Sequence, residues 1–211
     1  MQFNEAQIQA IQHNTGPCMV IAGPGSGKTT VLTHRVRYLI ERYGVNPSDI
    51  LVITFTKAAA EQMKLKFKGL SEGRNSAVTF GTFHAVFFTI LKAAYNYSAH
   101  CIIKPQIQHE FVKDQMCRLE LEYDDENEAV AGVLSEISCV KGEDVNIDEY
   151  ESRCIPPQSF RIMYRAYDDM LVRKHLIDFD DMIVQCRELL MQREDYRRAW
   201  QNKYKYILID E

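Results

Sequence analysis

The apolar positions of this chain change their rhythm twice. Between Cys18 and Ala22, "CMVIA" is a short unbroken apolar run that stops at a glycine-rich turn, which predicts a strand. After the turn, Val31, Leu32, Val36, Leu39 and Ile40 recur at helical spacing, and Gly44 closes that helix. "ILVITF" (50–55) is continuous and β-branched, the composition of a strand buried on both faces of a parallel sheet. "AAAEQMKLKF" predicts a helix, "AVTFGTFH" (77–84) a third strand and "AVFFTILKAAY" another helix. Strand alternating with helix is the pattern of an α/β fold, a parallel sheet flanked by helices.

From about residue 100 the spacing becomes helical, as in "FVKDQMCRLEL" and "FRIMYRAYDDMLVRKHL", and no strand pattern is visible between about 105 and 203. Pro156 and Pro157 break the chain before one of these helices. Strand character returns only in "KYKYILIDE" (203–211), a run that reads as buried and carries Asp210 and Glu211 at its tip. The pattern is an α/β domain interrupted by a mostly helical insertion and rejoined at its last strand. A strand with two acids at its tip would not ordinarily end a chain, so the sequence is expected to be truncated from a longer one.

Charge divides along the same lines. The net charge is −4, but residues 120–151 hold twelve acids and the single base Lys141, a charge of −11 that leaves +7 on the rest. "KAAAEQMKLKFKGLSEGR" (57–74) carries five bases against two acids, either a solvated helix face or a phosphate-facing patch. The acidic stretch is read as solvated helix surface or as a protein-binding face. No apolar run is long enough to cross a membrane, and "MQFNEAQIQA" lacks the pattern of a signal peptide. The six cysteines form no C-x-x-C pair and are expected to be reduced, mostly buried thiols of a cytoplasmic protein.

The candidate chemistry lies in "AGPGSGKTT" (22–30), between a predicted strand and a predicted helix. Gly23, Gly25 and Gly27 let the backbone enter positive φ, so that successive N–H groups converge on a phosphate; Pro24 and Ser26 complete the bend. The helix N-terminus behind them favours an anion. Lys28 supplies a mobile positive charge for the outer phosphates of a nucleotide, and the Thr29 hydroxyl is suited to ligate Mg²⁺. Such a loop needs a second strand ending in an acid. Asp210 fits the role of holding Mg²⁺ through its water shell, and Glu211 that of orienting or deprotonating an attacking water.

Taken in order, these elements resemble the N-terminal half of superfamily-1 DNA helicases of the UvrD/Rep/PcrA type. "FNEAQIQAI" (3–11) is similar to that family's Q motif, "AGPGSGKTT" to its phosphate loop, and "VITFTKAAAEQM" and "GTFHAVFFTIL" to the next two motifs. "LIDFDDMI" (176–183) is similar to a stretch these helicases carry before their acidic motif, which "ILIDE" begins. The resemblance implies a RecA-like motor domain formed by residues 1–84 and 198–211, with residues 85–197 as a helical inserted subdomain. It implies ATP and Mg²⁺ as cofactors, with Gln7 reading the adenine edge. It also implies single-stranded DNA and its junctions with duplex as partners, near Phe55, Thr56, Thr82 and His84. Phe55 either stacks a base or belongs to the core, and His84 either meets DNA or is a satisfied structural histidine. The family commonly has Arg where Thr30 stands, and "TFTKAAAEQM" shifts the family's usual Asn-Lys-Ala-Ala pattern.

The activity so implied is ATP hydrolysis coupled to 3′-to-5′ movement on one DNA strand and unwinding of duplex, in DNA repair, replication or recombination. That activity needs a second motor domain supplying arginines to the transferred phosphoryl group. The 211 residues alone are therefore expected to show little or no turnover. The alternatives are a self-contained P-loop kinase or NTPase switch, and a DNA-binding scaffold without catalysis.

Overall fold

A five-residue strand, β1 (Ile50–Thr54), is buried along its whole length, as its unbroken apolar composition requires. In the computed structural model, which describes residues 3–71, 77–143 and 145–210, β1 is the central strand of a parallel sheet. On one side it pairs with β2 (Thr79–Thr82), on the other with β3 (Tyr206–Asp210). The register sets Thr54 opposite both Thr82 and Asp210, so one row at the C-terminal edge of the sheet reads Thr82, Thr54, Asp210. The chain divides into two compact units, residues 1–86 with 193–211 and residues 87–192.

In the first unit, α1 (Glu5–Gln12), α2 (Lys28–Tyr43) and α3 (Lys57–Leu70) accompany the sheet, and α9 (Glu194–Lys203) leads into β3. Val36 and Leu39 of α2, Met63 and Phe67 of α3, and Ile50, Val52, Val78 and Leu208 form one core cluster. Each such side chain contributes about 1.5–3 kcal/mol of burial. α2 ends at Gly44, whose φ of 64° is the left-handed conformation that closes helices.

Three expectations change here. Residues 18–22 form no strand: Met19 and Ile21 are 83% and 87% exposed, and with neither face covered there is no burial to stabilise a ladder. β3 does form, but only Leu208 is buried, while Ile207 and Ile209 face outward. The third strand is shorter than its apolar run, because α4 (Phe83–Tyr95) starts immediately after Thr82 and takes His84 into its first turn.

The second unit packs α5 (Pro105–Arg118), α6 (Glu126–Glu143) and α7 (Pro157–Lys174) around Val112, Met116, Val133, Ile137, Phe160 and Met163, while α8 (Phe179–Gln192) buries Met182, Cys186 and Leu189. Pro157 occupies the first turn of α7, where its missing N–H removes no helical bond. A Cβ at position 132 would lie 2.7 Å from the Cys154 sulfur, so Gly132 lets that loop close on α6. A lone parallel bridge, Ile102 to Ile177, joins two segments that sequence periodicity leaves unpaired.

Inside this unit a charged cluster is buried. Lys141 donates to Asp178 at 2.8 Å and to Asp181 at 2.7 Å, with Lys141 and Asp178 side chains only 4% exposed. The Tyr167 hydroxyl and the Asp181 N–H also donate to Asp178, and Gln108 donates to Tyr167. Burial works against the Lys141 ammonium, but the two carboxylates outweigh it and hold its pKa above the usual lysine value. Burial, then the charge of Asp178, pushes Asp181 up to about 6. The cysteines depart from expectation: Cys18, Cys117, Cys139 and Cys154 are exposed, Cys101 is half-buried and Cys186 alone is buried. The four exposed ones stand on loops and outward helix positions, where position overrides the apolar preference of the thiol.

Candidate functional site

The glycine-rich loop runs directly into α2. Gly25 and Gly27 adopt φ of 75° and 82°, the left-handed turns that let backbone N–H groups converge; Gly23 does not, which corrects the expectation of three such glycines. Gly27 is the N-cap of α2 and has no side chain to cap it, so no side-chain oxygen competes there for the first-turn N–H groups. Pro24, Gly25 and Ser26 are exposed on the loop, while Gly27, Lys28, Thr29 and Thr30 are half-buried. The Lys28 ammonium donates back over the loop to the carbonyls of Ala22 (3.2 Å) and Gly23 (3.3 Å). This places a cation inside the bend that a phosphate would share.

The link to the far end of the sequence is direct. The Thr29 hydroxyl donates to Asp210 Oδ2 at 3.2 Å, between residues 181 positions apart. α2 positions the hydroxyl in its first turn and β3 delivers the carboxylate at the sheet edge, where ligands of open α/β sheets bind. Two hard oxygen donors side by side suit Mg²⁺, which takes one or two protein oxygens and completes its shell with water and phosphate. Among the described residues no group of three or more His, Cys, Asp or Glu forms an all-protein cage. Glu211 lies outside the described residues.

Gln7 also reaches the loop. Its carboxamide nitrogen donates to the Ser26 carbonyl at 3.0 Å. Its oxygen accepts from the Asn4 N–H at 3.0 Å, while the Asn4 side chain accepts from the Gln7 N–H, a reciprocal capping box. One N–H and one lone pair of the carboxamide stay available to a base edge. Asn4 was not singled out from sequence, although Asn-x-x-Gln ahead of an apolar position is the signature of such a box. Thr30 sits in the first turn of α2, and its carbonyl accepts from the Thr33 hydroxyl at 2.9 Å.

The remaining candidates lie along the same sheet edge. Phe55, just past β1, is 75% exposed, which removes the core reading. Thr56 caps α3 by accepting from the Ala59 N–H at 3.1 Å, and Thr82 accepts from the Ala85 N–H at 3.2 Å. A capping hydroxyl still has its own proton to donate outward. Thr82 lies two strands from Asp210, about 10 Å at ordinary strand spacing, so these residues flank the loop and do not enter it. His84 is half-buried in the first turn of α4.

Residues 3–211 match a known family model, that of the UvrD/REP helicase N-terminal domain. The chain belongs to that family. Among relatives of this UvrD/REP type, the ATP-dependent DNA helicase Rep of Escherichia coli K12 is 34% identical; the match covers 100% of this chain and 32% of Rep. The putative ATP-dependent DNA helicase YjcD of Bacillus subtilis is 33% identical over 99% of this chain and 28% of its own length. PcrA of Staphylococcus epidermidis, also an ATP-dependent DNA helicase, is 30% identical over 99% and 29%. The chain thus spans about 30% of the length of these UvrD/REP relatives.

Proposed function

We propose that this chain is the nucleotide-binding part of an ATP-dependent DNA helicase. The observation that supports the reading is the hydrogen bond between Thr29 and Asp210, which sets a hydroxyl beside a strand-end carboxylate at the mouth of the glycine loop, a pair of oxygens suited to a metal. Mg²⁺ held there would neutralise charge on the phosphates. The loop N–H groups would hold the phosphates and Lys28 would turn from the Ala22 and Gly23 carbonyls to meet them. Asp210 would accept from metal-bound water, and Glu211 would orient or deprotonate the attacking water. Gln7, tied to Ser26, would select adenine.

Single-stranded DNA is the partner proposed for the strand ends carrying Phe55, Thr56 and Thr82, with His84 beside them. An exposed aromatic and outward hydroxyls suit base stacking and phosphate contact. Junctions with duplex follow from the same reading, and 3′-to-5′ movement rests on the family resemblance. Residues 85–197 would form the inserted subdomain, a reading supported by the compact unit formed by residues 87–192. Stepping needs a second motor domain that closes on the nucleotide, and the relatives are about three times longer than this chain. The 211 residues are therefore expected to bind Mg-ATP without appreciable turnover, in a cytoplasmic protein whose exposed thiols fit a reducing compartment.

The test is binding of a fluorescent ATP analogue with and without Mg²⁺. Wild-type chain should bind, more tightly with the metal, and Lys28→Ala should lose at least tenfold in affinity. Wild-type chain that binds no nucleotide, or Lys28→Ala that binds equally well, would overturn the reading.

A further inference from the structure

α1 is too short to stand alone. It has eight residues, only Ile11 of them buried, and isolated helices of this length are not stable in water. Its last turn contains no basic residue to meet the orphan carbonyls there. Arg35, from the middle of α2, supplies one. Its Nη1 donates to the carbonyls of Ala10 (3.1 Å), Ile11 (3.5 Å) and His13, all at the C-terminal end of α1, where a cation is favoured. Two further ties join this segment to α2: Tyr43 donates to the Gln12 carbonyl at 3.1 Å, and Phe3, just before α1, meets His34 edge-on at 4.8 Å. At the other end of α1 the capping box fixes the Gln7 amide so that its nitrogen faces Ser26. Gln7 and the carbonyls held by Arg35 are three to six residues apart, roughly 5–9 Å along the axis.

We propose that Arg35 is a positioning residue that holds α1 on α2 and thereby sets where Gln7 stands against the phosphate loop. The inference rests on the reading of Gln7 as the adenine-selecting residue. Arg35 touches main-chain carbonyls of α1 and reaches the nucleotide only through the helix it anchors. Its loss should therefore degrade base selection and leave phosphate binding alone.

Displacement of a fluorescent ATP analogue by ATP, GTP and tripolyphosphate, on the whole chain, reads the two separately. Wild-type chain should prefer ATP to GTP. Gln7→Ala and Arg35→Gln should each reduce that preference about fivefold to tenfold, the worth of one hydrogen bond. Tripolyphosphate affinity should be unchanged in both. The double variant should be no worse than either single one, and Arg35→Lys, which keeps a cation with several donors, should recover most of the preference. Gln7→Ala losing the preference while Arg35→Gln keeps it would overturn the role of Arg35 alone. So would Arg35→Gln weakening tripolyphosphate as much as ATP, the mark of general unfolding. Wild-type chain without a base preference, or Gln7→Ala with preference intact, would instead overturn the reading of Gln7 and the inference with it.

Discussion

Asp181→Asn should make this protein more stable at neutral pH. One ammonium, Lys141, serves two carboxylates, and they are unequally placed. Asp178 receives three donors, from Lys141, Tyr167 and the Asp181 backbone, whereas Lys141 is the side-chain donor to Asp181. Burial and the neighbouring Asp178 push Asp181 up to about 6, from 3.8. The folded protein thus keeps a proton that the unfolded chain releases near 3.8, so stability falls as pH rises from about 4 to about 6 and stays lowered above that. A displacement of about two pH units corresponds to about 3 kcal/mol against the ionised form. Asn cannot ionise and keeps an oxygen for Lys141. Urea unfolding followed by circular dichroism should show the two proteins alike at pH 4. At pH 7.5 the variant midpoint should be higher by about 1.5 M, which is about 3 kcal/mol over a denaturant slope of about 2 kcal/mol/M. Lys141→Met should do the opposite, losing about 3–5 kcal/mol at neutral pH by leaving two carboxylates buried without a cation. Parallel pH profiles for wild type and Asp181→Asn, or a variant less stable at pH 7.5, would refute the argument.

Further outcomes follow from the sheet edge and the surface. Phe55→Ala should weaken single-stranded DNA binding by about 1–3 kcal/mol in a fluorescence anisotropy titration, and leave the unfolding midpoint in place because the ring is exposed. Thr29→Val should abolish the Mg²⁺-dependent part of ATP binding and spare the metal-free part, and adding Asp210→Asn should bring no further loss. In the native chain Cys117 and Cys139 should react with a maleimide within minutes. Cys186, buried and with its thiol pushed up to about 11, should react only on unfolding, as mass spectrometry of the labelled peptides would show.

What could be read from sequence depended on how far each signal reaches. β1 was legible because a central parallel strand is apolar on both faces, and α2 because Gly44 marks its end. The run at 18–22 has the same composition as a strand, but composition does not say whether neighbours will cover it, and here they do not. Thr56 and Thr82 stand out only through the family resemblance; that both serve as caps depends on helices starting just after them. Phe55 was ambiguous between core and surface until its exposure was known. Arg35 carries no local signal, since its acceptors lie 22 to 25 positions away and all belong to the main chain. The Lys141 cluster is hidden for the same reason: its carboxylates, Asp178 and Asp181, lie 37 and 40 positions beyond Lys141, outside the acidic stretch that contains it.

The alignment of β3 has a consequence for how the acidic tip is kept in frame. Side chains alternate along a strand, so sliding β3 by one position would turn Leu208 out of the core and swing Asp210 to the opposite face. Ile207 and Ile209 would then fill the interior almost as well as Leu208, and oiliness alone hardly discourages the slip. Polar fasteners decide it. Lys205 donates its N–H to the Asp49 carbonyl and pairs with the Asp49 carboxylate at 3.2 Å, Tyr204 bonds Thr79 at 3.3 Å, and Thr29 grips Asp210. The carboxylate proposed to serve the metal is thus also one of the pegs that stop its own strand from slipping.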